Sequence, residues 1–321
     1  MNTRYYLQLA KAITPATQRK VLRYLADQAL DLRDFFALPP SDWGRAGLTT
    51  TQVNALVAAE AHVPAWEREL KARDIQVVGW LDAVYPKRLK QAQQATPILC
   101  AWGNLGLLSG PAIGFSGARQ ASFQGIQVTK DTVQQITNRG FPVVSGHAKG
   151  IDVTAHETAL LHKGATIIVP VEGILNFRLR RQLKPLARSD NVLILSPFLP
   201  HAEWSSANAM IRNRIICALS DALVVVEAGL KGGAFATAHF AWRMNTPLFL
   251  PDYAQPSASA LGNPYFIRRG ALPLRRNRKS GRANLVRLFN EVISHYRTVT
   301  CASETKLARP TQLSLFALSA T

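Results

Sequence analysis

Cysteine is scarce: Cys100, Cys217 and Cys301 are the only three in the chain. They lie far apart, and none has a second cysteine or a histidine at metal-ligand spacing, which argues against a disulfide framework and against a zinc site. They read as reduced bystanders. Long apolar runs are missing too. No stretch approaches the roughly 20 uninterrupted apolar residues of a membrane span, and Met1 to Lys20 lacks the apolar centre of a signal peptide. A soluble, cytoplasmic protein with no membrane partner is the expectation. Acidic residues are also few, with 20 Asp+Glu against 38 Lys+Arg and a formal charge of +18. A surplus of that size calls for a polyanion, nucleic acid first and an anionic membrane surface second. Hydrophobic residues make up 47% of the 321, enough for a substantial core. At about 100–200 residues per domain, the length suggests two domains.

From Tyr5 to about Leu70 the pattern is helical, with apolar residues at three-to-four spacing (Leu7, Ala10, Ile13; Val21, Leu22, Leu25) and a break at Pro39-Pro40. Thr49 to Thr51 precede Val53, Leu56 and Val57, a cap followed by an amphipathic helix. Residues 1–70 are thus expected to form a helical N-terminal domain. Near Ile75 the texture changes. Short apolar runs rich in β-branched residues (75–78, 98–102, 112–116, 143–145, 165–171, 192–195, 222–227 and 247–250) alternate with helix-length segments at 123–139, 151–163 and 234–244. Such alternation predicts an α/β core over 71–272, Rossmann-like, with a mostly parallel, doubly wound sheet. Beyond it, Arg275, Arg276, Arg278, Lys279 and Arg282 read as a solvated basic linker, followed by a short helix over 283–296 and a flexible tail.

Three glycine-punctuated turns carry the chemistry. The first, Gly114 to Ser122, runs from a strand into a helix and contains Ser116, Gly117, Arg119 and Ser122. Backbone N–H groups at such a helix start hold phosphates, with Arg119 as counter-charge. It is not the standard Gly-x-Gly-x-x-Gly fingerprint, and a bare structural turn is its other reading. The second, Val143 to Asp152, holds Ser145, Gly146, Lys149 and Gly150. Two such turns lie side by side at the carboxyl ends of their strands, where open α/β sheets place ligands. His147 and His156 lack a partner carboxylate in the sequence and are assigned to polar packing or loop anchoring rather than catalysis. The third is Arg212-Asn213-Arg214 before a hydrophobic helix and a strand ending in Glu227, with Lys231, Gly232 and Gly233 opening the next turn. Its arginines face either an anionic ligand or, as an internal bridge, Glu227.

Together these motifs resemble the DNA-processing protein A (DprA, or Smf) family. The resemblance rests on Ser116-Gly117-Ala118-Arg119, Ser145 to Asp152 with Ala155-His156, Arg212 to Ile216 and Gly232 to Ala238, in order and approximate spacing. Tyr85-Pro86-Lys87-Arg88-Leu89, Trp102-Gly103-Asn104 and Gly262-Asn263 fit as well. The resemblance covers about 75–272. It implies an extended Rossmann fold that binds single-stranded DNA, forms a homodimer and hands the strand to a RecA-type recombinase during transformation, with no turnover and no cofactor. By position it makes Arg119 a DNA-contacting arginine, Ser116, Gly117, Gly146 and Gly150 a phosphate cradle, and Arg212 and Arg214 its Arg-Asn-Arg element.

The departures mark a divergent member. Where the family usually has Gly-Leu-Asp followed by Tyr-Pro and a lysine, this chain has Gly173 to Arg181. There Phe177 is a candidate for base stacking and Arg178, Arg180 and Arg181 for the backbone, against a plain solvated basic face. Ala209-Met210 replace the usual Phe-Pro, and Lys231-Gly232-Gly233 the usual Ser-Gly-Ser. In the tail, Gln312-Leu313-Ser314-Leu315-Phe316 resembles the peptide with which bacterial DNA-repair proteins dock on the replicative sliding clamp; Leu315 and Phe316 would fill its pocket. A tail folded back on the core is the alternative. For the whole chain, a nucleotide-binding sensor or hydrolase is the second reading and a tethering scaffold the third. Hydrolysis would want a carboxylate partner for Glu227 that the sequence does not supply.

Overall fold

The computed structural model describes residues 2–92 and 96–307, with side chains described to Cys301. The tail peptide Gln312–Phe316 lies outside the described residues.

The amino-terminal region is helical as its periodicity predicts. It comprises α1 (Thr3–Ala12), α2 (Pro15–Asp27), α3 (Leu32–Ala37), α4 (Thr50–Ala59) and α5 (Val63–Ala72). Thr49 caps α4 in a reciprocal capping box with Gln52, which satisfies two donors at the helix start. These helices share one core with the sheet. Leu7, Val21 and Leu56 belong to the same buried cluster as Val77, Cys100 and Ile194.

Nine strands form a single sheet: β1 (Gln76–Gly79), β2 (Ile98–Gly103), β3 (Ile113–Ser116), β4 (Val143–Ser145), β5 (Thr166–Ile168), β6 (Val192–Ser196), β7 (Ala222–Val225), β8 (Leu248–Pro251) and β9 (Leu272–Leu274). Their order is β1-β2-β6-β5-β4-β3-β7-β8-β9. The seven strands from β6 to β9 in that order are parallel, and β1 and β2 add an antiparallel edge. Strand order reverses between β3 and β7, so the loops after β3, β4 and β5 and those after β7, β8 and β9 meet along one edge. The helices α7 (Phe123–Thr137), α8 (Ile151–Leu161) and the last helix, α12 (Val286–Leu307), lie on one face; α9 (Ser206–Leu219) and α10 (Gly233–Arg243) lie on the other, with the short α6 (Lys87–Gln91) and α11 (Asn263–Ile267). Period-2 alternation feeds both faces: Ile113, Val143 and Val224 point to the first, Val144, Leu223 and Val225 to the second.

Several sequence expectations change. The run 165–171 is a strand only to Ile168, because the chain leaves the sheet there and Pro170 and Val171 line a cleft instead. The core, expected to end at Leu272, continues through a ninth strand to Leu274. Pro273 is tolerated because β9 is an edge. Beyond β9 the chain is folded onto the core: Ala283, Leu285, Leu288 and Phe289 are buried beside Ile113 and Phe115, and α12 runs on past residue 296. Cys100 and Cys217 are buried thiols, which burial pushes up to about 12, and Cys301 is exposed. Among the described residues, no helix is long and apolar enough to cross a membrane.

Candidate nucleic-acid interface

At the carboxyl edge the turns after β3 and β4 interlock through their glycines. Gly117 sits against Ile151, where a Cβ would lie 2.6 Å from the side chain. Gly150 has φ +78° and approaches the carbonyls of Ala118 and Arg119 more closely than any side chain would permit. The Ile151 N–H donates to the Ala118 carbonyl at 3.3 Å. Arg119 and Lys149 are thereby held, exposed, on the rim of one cleft of about 500 Å³.

The floor carries a buried ion pair. Arg212, on α9, is 4% exposed, and its guanidinium lies over Gly146 so closely that a Cβ there would fall 1.0 Å from Nη1. Nη1 stands 3.6 Å from Asp152 Oδ2, which also accepts from the Ala148 N–H at 3.3 Å. Burial raises the Asp152 carboxyl above its ordinary value and lowers Arg212, each opposed by the charge of the other. Nε of Arg212 has no hydrogen-bond partner among the described residues.

His147 joins the second turn to the 177–180 segment. It adopts φ +61°, its Nε2 accepts from the Arg180 N–H at 3.3 Å, and its carbonyl accepts from Arg180 Nε at 3.4 Å. Burial, then Arg180 and Arg212, lowers its imidazole to about 4, so it is neutral near pH 7. His156 is fully buried, with Nδ1 2.6 Å from Thr166 Oγ1, and burial lowers it well below the usual range. Both histidines occupy packing and anchoring positions.

Not every sequence candidate reaches the cleft. Arg119, Gly146, Lys149, Arg178, Arg180 and Arg212 line it. Phe177 lines it as well, but it is only 7% exposed and meets His147 edge-on at 4.9 Å, so it is wall rather than platform. The exposed aromatic on this rim is Trp204, at 59%, a residue that motif reading passed over. Its signal was a tryptophan in a polar stretch beside Ser205, which caps α9 through Asn208 N at 3.0 Å. Arg181 is exposed outside the lining, and Lys231 and Gly232 form the turn before α10, whose first residue is Gly233. Arg214, two positions beyond Arg212, turns away to sit 4.8 Å above the Phe240 ring in a separate cavity of about 490 Å³.

The serines act as scaffolding. Ser145 Oγ donates to the Phe115 carbonyl at 2.7 Å, tying β4 to β3, and Ser116 ends β3. Ser122 caps α7 and donates from both its N–H (3.0 Å) and its hydroxyl to Glu227. Glu227 also accepts from Ser259 Oγ at 2.8 Å and Ser257 Oγ at 3.4 Å. The internal Arg–Glu227 bridge is therefore replaced: hydroxyls satisfy Glu227, and the arginine pairs with Asp152. Among the described residues lining the cleft, Glu172 is the one carboxylate, against Arg119, Lys149, Arg178 and Arg180, with the charge of Arg212 met by Asp152. Such a site suits an extended anion with an aromatic part.

The family model of DNA recombination-mediator protein A matches residues 76–280. The chain belongs to that family. Among proteins similar to this chain, the DNA processing protein DprA of Streptococcus pneumoniae is 33% identical over 171 residues, covering 53% of this chain and 60% of that protein. DprA of Bacillus subtilis is 32% identical over 167 residues, covering 51% and 56%. The matched regions thus span less than two thirds of those relatives. The X-ray structure of S. pneumoniae DprA superposes with a TM-score of 0.70 at 26% identity, covering 85% of this chain and 94% of that one. DprA of Helicobacter pylori, whose structure is described in terms of a single-stranded DNA binding mode, shares the fold with a TM-score of 0.55 at 23% identity, covering 70% and 97%.

Proposed function

We propose that this chain is a non-enzymatic single-stranded-DNA-binding protein of DNA processing and recombination, with the carboxyl-edge cleft as its binding site. The observation that carries the reading is the convergence of Arg119, Lys149, Arg178 and Arg180 on one cleft, floored by the Arg212–Asp152 pair, with an exposed tryptophan at its rim. Cations track a phosphate backbone, and an open aromatic face stacks any base, so the pair selects single strands without selecting sequence. Membership of the recombination-mediator family supports the same assignment. Handing the strand to a RecA-type recombinase, acting as a homodimer and recruitment to the sliding clamp through Gln312–Phe316 belong to this proposal through the resemblance alone.

A cleft of about 500 Å³ also has the size of a small-molecule site. Thermal-shift measurements with mononucleotides beside short oligothymidylates separate the two readings. Stabilisation by the oligonucleotide is expected; stabilisation by mononucleotide alone would favour a nucleotide sensor. Trp204→Ala is expected to weaken oligothymidylate binding by about 1–3 kcal/mol and to abolish most of the ligand-induced fluorescence quench, while Trp204→Phe retains most of the affinity. Equal affinity of the alanine variant and the parent in a fluorescence titration would remove Trp204 from the site.

A further inference from the structure

The basic segment between β9 and α12 has no part in the cleft, yet it is built rather than loose. Arg276 and Ala283 pair as an antiparallel bridge, Asn277 N donates to the Arg282 carbonyl at 2.7 Å, and Asn284 N donates to the Arg275 carbonyl at 2.8 Å. Asn277 Oδ1 accepts from Lys279 N at 2.9 Å and Ser280 N at 3.2 Å, closing the tip. The hairpin is clamped to α7: Arg282 Nε lies 2.6 Å from Asp131 Oδ1, Arg282 Nη2 lies 2.9 Å from Gln134 Oε1, and Ala283 N donates to Asp131 Oδ2 at 2.6 Å. Arg275 holds Asp252 at 2.9 Å. Two of its five cations therefore serve as anchors, and Arg276, Arg278 and Lys279 are presented to solvent on a fixed frame.

Its position gives those cations a direction. β9 is parallel to β3 and three strands from it, so the hairpin leaves the sheet at the same carboxyl edge as the Arg119 turn, about 14 Å along. The gap is bridged by the start of α7, which continues the Arg119 turn. Phe123 there is 81% exposed, and Gln124 lines a cavity of about 500 Å³ shared with Tyr253, Arg275 and Arg276. Cation, exposed aromatic, amide and cations follow one another along the edge.

We propose that a single strand held in the cleft continues over Phe123 at the start of α7 into the groove beneath the 275–282 hairpin, where Arg276, Arg278 and Lys279 contact its phosphates. The inference rests on the reading of the cleft as a single-strand site and extends the footprint to a second, length-dependent part. Affinity for a strand too short to leave the cleft is independent of the hairpin; affinity for a longer one is not.

The test uses the full chain, the triple variant Arg276→Ala/Arg278→Ala/Lys279→Ala and, separately, Phe123→Ala. Each is titrated with oligothymidylates of about 5 and about 20 nucleotides over a range of salt. For the longer oligonucleotide, the triple variant is expected to bind at least about 10-fold more weakly at low salt, with the slope of log K against log salt shallower by about 2, the loss of three single-strand phosphate contacts. Phe123→Ala is expected to weaken the longer oligonucleotide alone, by about 5-fold or more. The short one binds all three proteins equally. An unchanged affinity and slope for the long oligonucleotide overturns the inference while leaving the cleft in place, and so does an equal loss for both lengths. Failure of the parent chain to bind either overturns the cleft reading and the extension with it.

Discussion

Arg212→Ala is expected to cost about 3–5 kcal/mol of stability, because it leaves Asp152 as an uncompensated carboxylate in a site with almost no solvent. The cost arises in two ways. Asp152 would keep the hydrogen bond from the Ala148 N–H but lose its counter-charge, and burial already pushes its carboxyl above the ordinary range. The guanidinium also fills the space over Gly146, so its removal opens a void beneath the second turn. The void alone is tested by Arg212→Met, which restores volume but not charge and is expected to recover only part of the loss. Denaturant unfolding monitored by circular dichroism measures both variants. A loss under about 1 kcal/mol for Arg212→Ala would show that the pair contributes little and that the turn is held by its glycines alone.

Acid is expected to destabilise the protein before its carboxylates titrate in bulk. In the native state the His147 imidazole takes up its proton only near pH 4, whereas the unfolded chain takes it up near 6.5. A depressed native value means that its contribution is complete above about pH 6.5 and is lost as the pH falls toward 4. The loss is about 3 kcal/mol for this one group. His156, which full burial lowers well below the ordinary histidine value, contributes in the same direction: its stabilisation too is lost as the pH falls below the unfolded value. His147→Asn isolates the first contribution, since asparagine tolerates the φ of +61° at this position. Stability against pH should fall more gently between 6.5 and 4 in the variant, by about one proton's worth of slope. Parallel curves for variant and parent would show that His147 is not held neutral by the fold.

Much of the fold was legible in the pattern of residues because parallel strands buried on both faces leave uninterrupted β-branched runs, and these have few other uses. The two interlocked turns were legible too, since a positive φ at Gly150 and the close approach at Gly117 demand glycine. Side-chain destinations were less so. Arg212 and Arg214 look like one cluster in the chain, but two positions on a helix point to nearly opposite sides, one into an ion pair and the other onto Phe240. Phe177 and Trp204 are both aromatic beside basic residues, and only tertiary packing against His147 decides which is wall and which is open. The basic hairpin resembles a linker in composition because its anchor, Asp131, lies about 150 residues earlier in the chain. β9 was hidden by Pro273, which argues against a strand except at an edge.

In the proposed function the cleft holds the backbone of a single strand through fixed cations. Equilibrium binding of a short oligothymidylate at a series of salt concentrations, for the parent and for Arg119→Ala/Lys149→Ala, tests it most directly. Both residues are exposed, so the substitutions leave the fold in place. A steep fall of log K with log salt is expected for the parent, and for the variant a slope shallower by about 1.4 with affinity at least about 10-fold lower at low salt. A salt-independent affinity, or a slope unchanged by removing both cations, would contradict the proposed function.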